Sequence, residues 1–147
     1  MMKKKLWMAL LALVVLGGLV LVWMANSGWV DEFNAEQNQL LQQRIADGQA
    51  FARTANQQQC LDQALQDFDG CLAYSCTVAS GKFLKACLDS AAPSTNFCEG
   101  VPEFREKPTE DDKSWAKDYC LNNNIRGDNC RLLMRQQQLF CSQTAEN

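Results

Sequence analysis

The sequence predicts an all-α chain: a single N-terminal transmembrane helix, then a small disulfide-stapled domain of two nested-disulfide helical hairpins in series. Three observations carry that expectation. Leu6 to Ala25 is a run of twenty uncharged, mostly apolar residues. All eight cysteines fall after residue 59, with an eleven-residue step recurring between them. The chain contains no histidine.

A helix rises 1.5 Å per residue, so the Leu6–Ala25 run is long enough to cross a hydrocarbon core of about 30 Å. Lys3, Lys4 and Lys5 precede it and Asp31 and Glu32 come after it. The positive-inside bias then keeps the N-terminus in the cytoplasm and exports the remainder, a single pass through the inner (cytoplasmic) membrane. Trp7 at one end, with Trp23 and Trp29 at the other, suits indole rings at two interfaces. The rival reading is a cleaved signal peptide, which would leave a soluble secreted or periplasmic protein; Ala25-Asn26-Ser27 is its best cleavage candidate. Signal cores run to about 7–15 residues, and the greater length here favours an uncleaved anchor. No cysteine follows the run to take a lipid, and Gly17-Gly18 lacks the small-xxx-small spacing of helix packing.

The chain thus divides into a basic cytoplasmic start (1–5), an anchor (6–25), a connector (26–55) and an exported domain (56–147). Residues 30 to 59 lack proline and are rich in Gln and Ala, which favours helix. At 100° per residue Val30, Phe33, Leu40, Leu41, Ile45, Phe51, Ala52 and Ala55 fall in one arc of about 140°. Arg44 and Gly48 interrupt that stripe, and Asp47-Gly48 is a turn signal where the helix is expected to break, if anywhere. The stripe either packs on the stapled domain or pairs with a second copy or a partner; Phe33, Leu40 and Phe51 are its candidate contact residues. No sustained heptad supports a long coiled coil.

Cys60 and Cys71 are eleven residues apart, as are Cys76 and Cys87, and four residues separate the two pairs. Eleven residues of helix turn through about 1100°, so each pair returns to one face about 16 Å further on. That distance forbids a bond within a pair, since bridged Cα atoms lie within about 7 Å. Folding at the bend gives Cys71–Cys76 inside and Cys60–Cys87 outside. Cys60, Leu61, Ala64, Leu65, Phe68, Cys71 and Leu72 form the apolar face of the first helix. Ser80, Phe83, Leu84, Cys87, Leu88 and Ala91 form that of the second, which Pro93 is expected to end.

After Pro108, Thr109-Glu110-Asp111-Asp112 reads as a capped, acidic helix start. Trp115, Ala116, Tyr119 and Cys120 share a face of that helix. Asn122 to Asn129 supplies a turn, with Asp128 the expected cap of a last helix whose Cys130, Met134, Gln137 and Cys141 share a face. The same folding logic pairs Cys120 with Cys130 and Cys98 with Cys141. Leu132 and Leu139 lie off that face, buried against a neighbour or presented as a contact surface. The nested cysteines are similar in geometry to the twin-cysteine helical hairpins of mitochondrial intermembrane-space proteins, which have a shorter cysteine gap and a longer loop. The resemblance is one of spacing.

Composition excludes several chemistries. Setting aside Lys3 to Lys5, 11 of the 14 basic residues face all 17 acidic ones, a net charge of −6 that gives nucleic acid no footprint. Without histidine, C-x-x-C or C-x-x-C-H, the cysteines read as disulfides of an oxidising compartment rather than as a zinc, thioredoxin-like or haem site. No cofactor, metal or catalytic residue is expected. The function expected is non-enzymatic: a membrane-anchored, extracytoplasmic accessory or scaffolding module of a cell-envelope assembly, partnered by another protein or by itself. A small apolar-ligand or lipid carrier, cleaved and soluble, is the alternative, and a dithiol redox protein a more distant one.

Overall fold

The computed structural model describes residues 2–26, 28–71, 73–127 and 129–145, but not the side chains of residues 2, 3, 5, 25, 26, 29 and 30. Leu72 of the expected first-hairpin face, Asp128 of the expected cap and Ser27 of the candidate cleavage site lie outside the described residues, as do the side chains of Ala25, Trp29 and Val30. Among the described residues the backbone forms six helices and no strand: α1 (Met2–Asn26), α2 (Trp29–Ala52), α3 (Gln57–Phe68), α4 (Tyr74–Leu88), α5 (Glu110–Asn122) and α6 (Cys130–Ala145). The chain divides into two compact units, Met1–Gln39 and Leu40–Asn147. The second half of the connector, from Leu40, falls in the same compact unit as the disulfide-bonded helices.

In the first unit, α1 carries a 19-residue stretch, Leu6–Met24, with a mean hydropathy of 2.6 and none of it buried. Length and composition are enough to cross a membrane, a test that a signal sequence also passes.

In the second unit, α3 and α4 form the first hairpin, α6 lies across both, and α5 packs on α6. Phe68, Leu61, Leu84, Leu133 and Met134 are fully buried where these helices meet. The four disulfides join Cys60 to Cys87, Cys71 to Cys76, Cys98 to Cys141 and Cys120 to Cys130, with no cysteine free. The nested scheme is thus the one that the eleven-residue steps predict.

Local chemistry sets the helix ends. Asn56 caps α3, its Oδ1 accepting from the Gln59 N–H while the Gln59 side chain accepts from the Asn56 N–H. The Gln57 and Gln58 N–H groups, which have no intrahelical partner, donate to the Ala92 carbonyl at 3.0 Å and to Ser94 Oγ at 2.9 Å. Thr109 and Asp112 make the equivalent reciprocal cap on α5.

Three expectations need correction. First, α3 stops at Phe68, so Cys71 is not on its face. Gly70 takes φ +78°, a left-handed turn that brings Cys71 round to Cys76. Second, α4 ends at Leu88, before Pro93. The Ser90 and Ala91 N–H groups both donate to the Cys87 carbonyl, and the chain then runs beside the start of α3. Third, α2 continues through Asp47-Gly48. Gly48 is buried against α4, where a Cβ would collide with the Phe83 carbonyl oxygen and lie 3.2 Å from Ala86 Cβ and Cys87 N. Absence of a side chain lets the two helices approach, and here it outweighs the turn preference of the dipeptide.

The two hairpins meet at their loops. The Arg126 N–H donates to Asp69 Oδ1 at 2.9 Å, and its guanidinium lies 3.3 Å from Oδ2. Those bonds hold the Asp69 carboxyl below its ordinary range, the backbone donor contributing most. Between the hairpins, residues 89–109 lie against α6. Gln137 Nε2 donates to the Phe97 carbonyl at 3.0 Å, the Phe104 N–H to Ser142 Oγ at 2.8 Å, and the Phe97 and Phe140 rings meet edge-on.

Candidate functional site

The expected contact residues divide into two groups. On α2, Phe33 is 52% and Leu40 50% exposed. Phe51 is different: it is half-buried, with its ring 5.8 Å from that of Phe83. Its stripe serves internal packing from Leu41 onward, where Ala52 and Ala55 are buried. Arg44, read from sequence as an interruption, is a clamp. Its guanidinium lies 5.1 Å from the Phe83 ring centre, 2.7 Å from Asp67 and 3.8 Å from Asp47. On α6, Leu132 is 46% exposed, whereas Leu139 is half-buried beside Lys85, Leu88 and Phe140.

What sequence reasoning missed is a groove between α5 and α6. It consists of two open clefts, of about 810 Å³ and 270 Å³, that share Arg131. Lys117 and Arg126 line the larger with Leu121 and Ile125; Lys113 and Arg135 line the smaller with Ala116 and Leu132. Every Lys and Arg after Lys107 is on this groove. Among the described residues the lining has five basic side chains and the carboxylates of Asp69 and Asp112, a gathering of cations on a stretch that is acidic overall. Leu121 projects from it, 60% exposed.

Several of these cations are already positioned. Lys113 is 2.6 Å from Glu110, and Arg135 donates to the Arg105 carbonyl at 2.6 Å while stacking on Phe104. Asp112 is buried (4% exposed), accepts from the Thr109 N–H at 2.8 Å and lies 3.2 Å from Arg105. The Thr109 N–H is the main influence holding its carboxyl below the ordinary range, against the opposing effect of burial; Arg105 adds to it. Across α5, burial pushes the Tyr119 phenol up.

The signal that could have found the groove is the spacing. Lys113–Lys117 and Arg131–Arg135 are each four apart, and a turn folds the two helices together. Among the described residues no group of three His, Cys, Asp or Glu side chains could hold a metal ion. The chain matches no protein-family model, no curated protein and no solved structure.

Proposed function

We propose that this protein is a non-enzymatic accessory module of a cell-envelope assembly, with α1 as an uncleaved single-pass anchor and the stapled unit on the extracytoplasmic side of the inner membrane. One combination carries the reading: a wholly exposed apolar helix of spanning length on a chain whose eight cysteines are all bonded. Disulfides persist in exported compartments, and a spanning helix with lysines before it keeps the rest of the chain at the outer face. The stapled unit presents charged and apolar surface around a packed core, surface that a binding partner would use. An apolar-ligand carrier calls for an enclosed apolar cavity, whereas the larger cleft of the α5–α6 groove is open and lined by Lys117, Arg126 and Arg131. A dithiol redox role calls for free or labile thiols, and none is free.

The test is expression of the untagged N-terminus, membrane fractionation, mass determination of the mature chain and protease challenge from the extracytoplasmic side. The expected result is a membrane-bound chain with an intact N-terminus, digested only from outside. Cross-linking in intact cells should then trap a discrete protein complex. A soluble chain starting near Asn26 would remove the anchor, and an uncross-linked monomer would remove the partnered role.

A further inference from the structure

The groove on α5 and the exposed start of α2 carry the same pattern with opposite charge. On α5, Lys113, Lys117 and Leu121 stand four residues apart in one row. On α2, Glu32, Glu36 and Leu40 do the same, with Phe33 on the same side of the helix. At 100° per residue these four α2 residues fall within about 100° of arc, and each row is about 12 Å long. Leu40, Phe33 and Leu121 are each at least half exposed. Rows of residues four apart are the ridges by which helices interlock.

We propose that the α5–α6 groove is a self-association site, occupied by residues 31–40 of a second copy of this chain. In parallel register Glu32 meets Lys113, Glu36 meets Lys117 and Leu40 meets Leu121, with Phe33 toward the Leu132 side. Lys113 exchanges Glu110, which is exposed, for Glu32 of the second copy. The acidic segment supplies Asp31, Glu32 and Glu36 and no basic residue, opposite in sign to the Lys and Arg side chains that line the groove. The proposal rests on the anchored reading, since confinement of copies to one membrane raises their effective concentration and lets a modest interface form.

The experiment uses the full chain in detergent micelles, with mass measured by sedimentation and native mass spectrometry. The wild type is expected above monomer mass at low salt and to dissociate as salt is raised, because exposed charge pairs are screened. Lys113→Glu with Lys117→Glu should weaken association at least tenfold, as should Glu32→Lys with Glu36→Lys. Mixing the two variants should restore assembly, because each then offers the other a complementary pair of rows. Helical content measured alongside confirms that the variants fold. A wild type that stays monomeric at every concentration overturns the proposal, as does an oligomer indifferent to both charge reversals. So does a monomer whose Lys113 and Lys117 are shielded only when anionic lipid is added. Membrane retention and the intact N-terminus are read on the same preparation, so loss of the anchor and loss of this pairing are separate results.

Discussion

Gly48→Ala and Gly81→Ala are the same substitution in two helix interiors, and the structure assigns them opposite signs. In an exposed helix, replacing Gly by Ala stabilises by about 1 kcal/mol through backbone entropy. At Gly81 of α4 a Cβ would meet nothing within 4 Å, so that gain should appear undiminished. At Gly48 the new methyl would run into the Phe83 backbone carbonyl, with Ala86 Cβ and Cys87 N each 3.2 Å away. Backbone cannot step aside as a side chain can, so α2 has to lift from α4. Overpacking of this kind costs about 1–3 kcal/mol. Lifting also loosens Arg44 from the Phe83 ring at 5.1 Å and from Asp67 at 2.7 Å. The ring contact contributes about 0.5–1 kcal/mol and the partly exposed ion pair about 0.2–1 kcal/mol. Set against the propensity gain, the net is a destabilisation of about 2 kcal/mol, confined to docking of α2. Hydrogen exchange across residues 44–52 of the full chain, disulfides intact, should therefore quicken about thirtyfold in Gly48→Ala. In Gly81→Ala it should not change there. Unaltered or slower exchange in Gly48→Ala would refute the close approach of α2 and α4.

Other outcomes concern the caps and staples. Thr109→Ala removes the α5 cap and should lower stability by about 1 kcal/mol, read as a shift in urea midpoint of the oxidised chain. Asp112 has its folded pKa below the unfolded value of 3.8, so its stabilisation is whole above that pH and fades as pH falls through the lowered value. Asp112→Asn should lower stability at neutral pH and flatten the acid limb of the stability–pH curve; an unchanged limb would dissociate Asp112 from acid unfolding. Under graded reductant, Cys71–Cys76 should open first, since both its sulfurs belong to half-buried residues, whereas Cys60 and Cys87 are fully buried. It also closes the shortest loop, so its loss should cost roughly 2 kcal/mol against roughly 4 for Cys60–Cys87. Alkylation of the partly reduced chain, then peptide mapping, reads the order.

The frame was legible because the disulfides obey helix arithmetic. Eleven residues bring a cysteine back to its face three turns on, which holds for Cys76 and Cys87 on α4 and for Cys130 and Cys141 on α6; Cys71 and Cys98 lie outside the helices and pair by the folding back of each hairpin. The Thr109 cap was legible for a similar reason: the hydroxyl and the carboxylate three residues later satisfy each other's backbone neighbour. One misreading is local, since Gly70 ends α3 before Cys71; the others concern elements meeting across the chain. Gly48 reads locally as a turn residue; only α4, some forty residues on, makes it a close-packing position. Arg44 reads as a flaw in an apolar stripe until Phe83 and Asp67 are beside it. Pro93 reads as the end of α4, but the chain has already turned at Asp89 so that Ala92 can accept from Gln57.

The groove escaped notice for a deeper reason. Net charge is a sum, and a chain that carries −6 after residue 25 hides a positive surface if its cations are gathered. Here the gathering is done by the second hairpin. Cys120–Cys130 closes the turn between α5 and α6, with Gly127 at φ +105° against the Phe68 ring and the Cys71 carbonyl. An alanine there would need a backbone conformation that L-residues rarely adopt. The turn therefore sets Lys113 and Lys117 of one helix opposite Arg131 and Arg135 of the other. Like charges held side by side repel, and exposed cations gain little from isolated carboxylates. Lys113 is partnered by Glu110 and Arg126 by Asp69 within the chain, and an acidic occupant would add a second set of such contacts. The self-association proposed above draws on that gathering of cations and on Glu32 and Glu36, exposed on α2 in matching register.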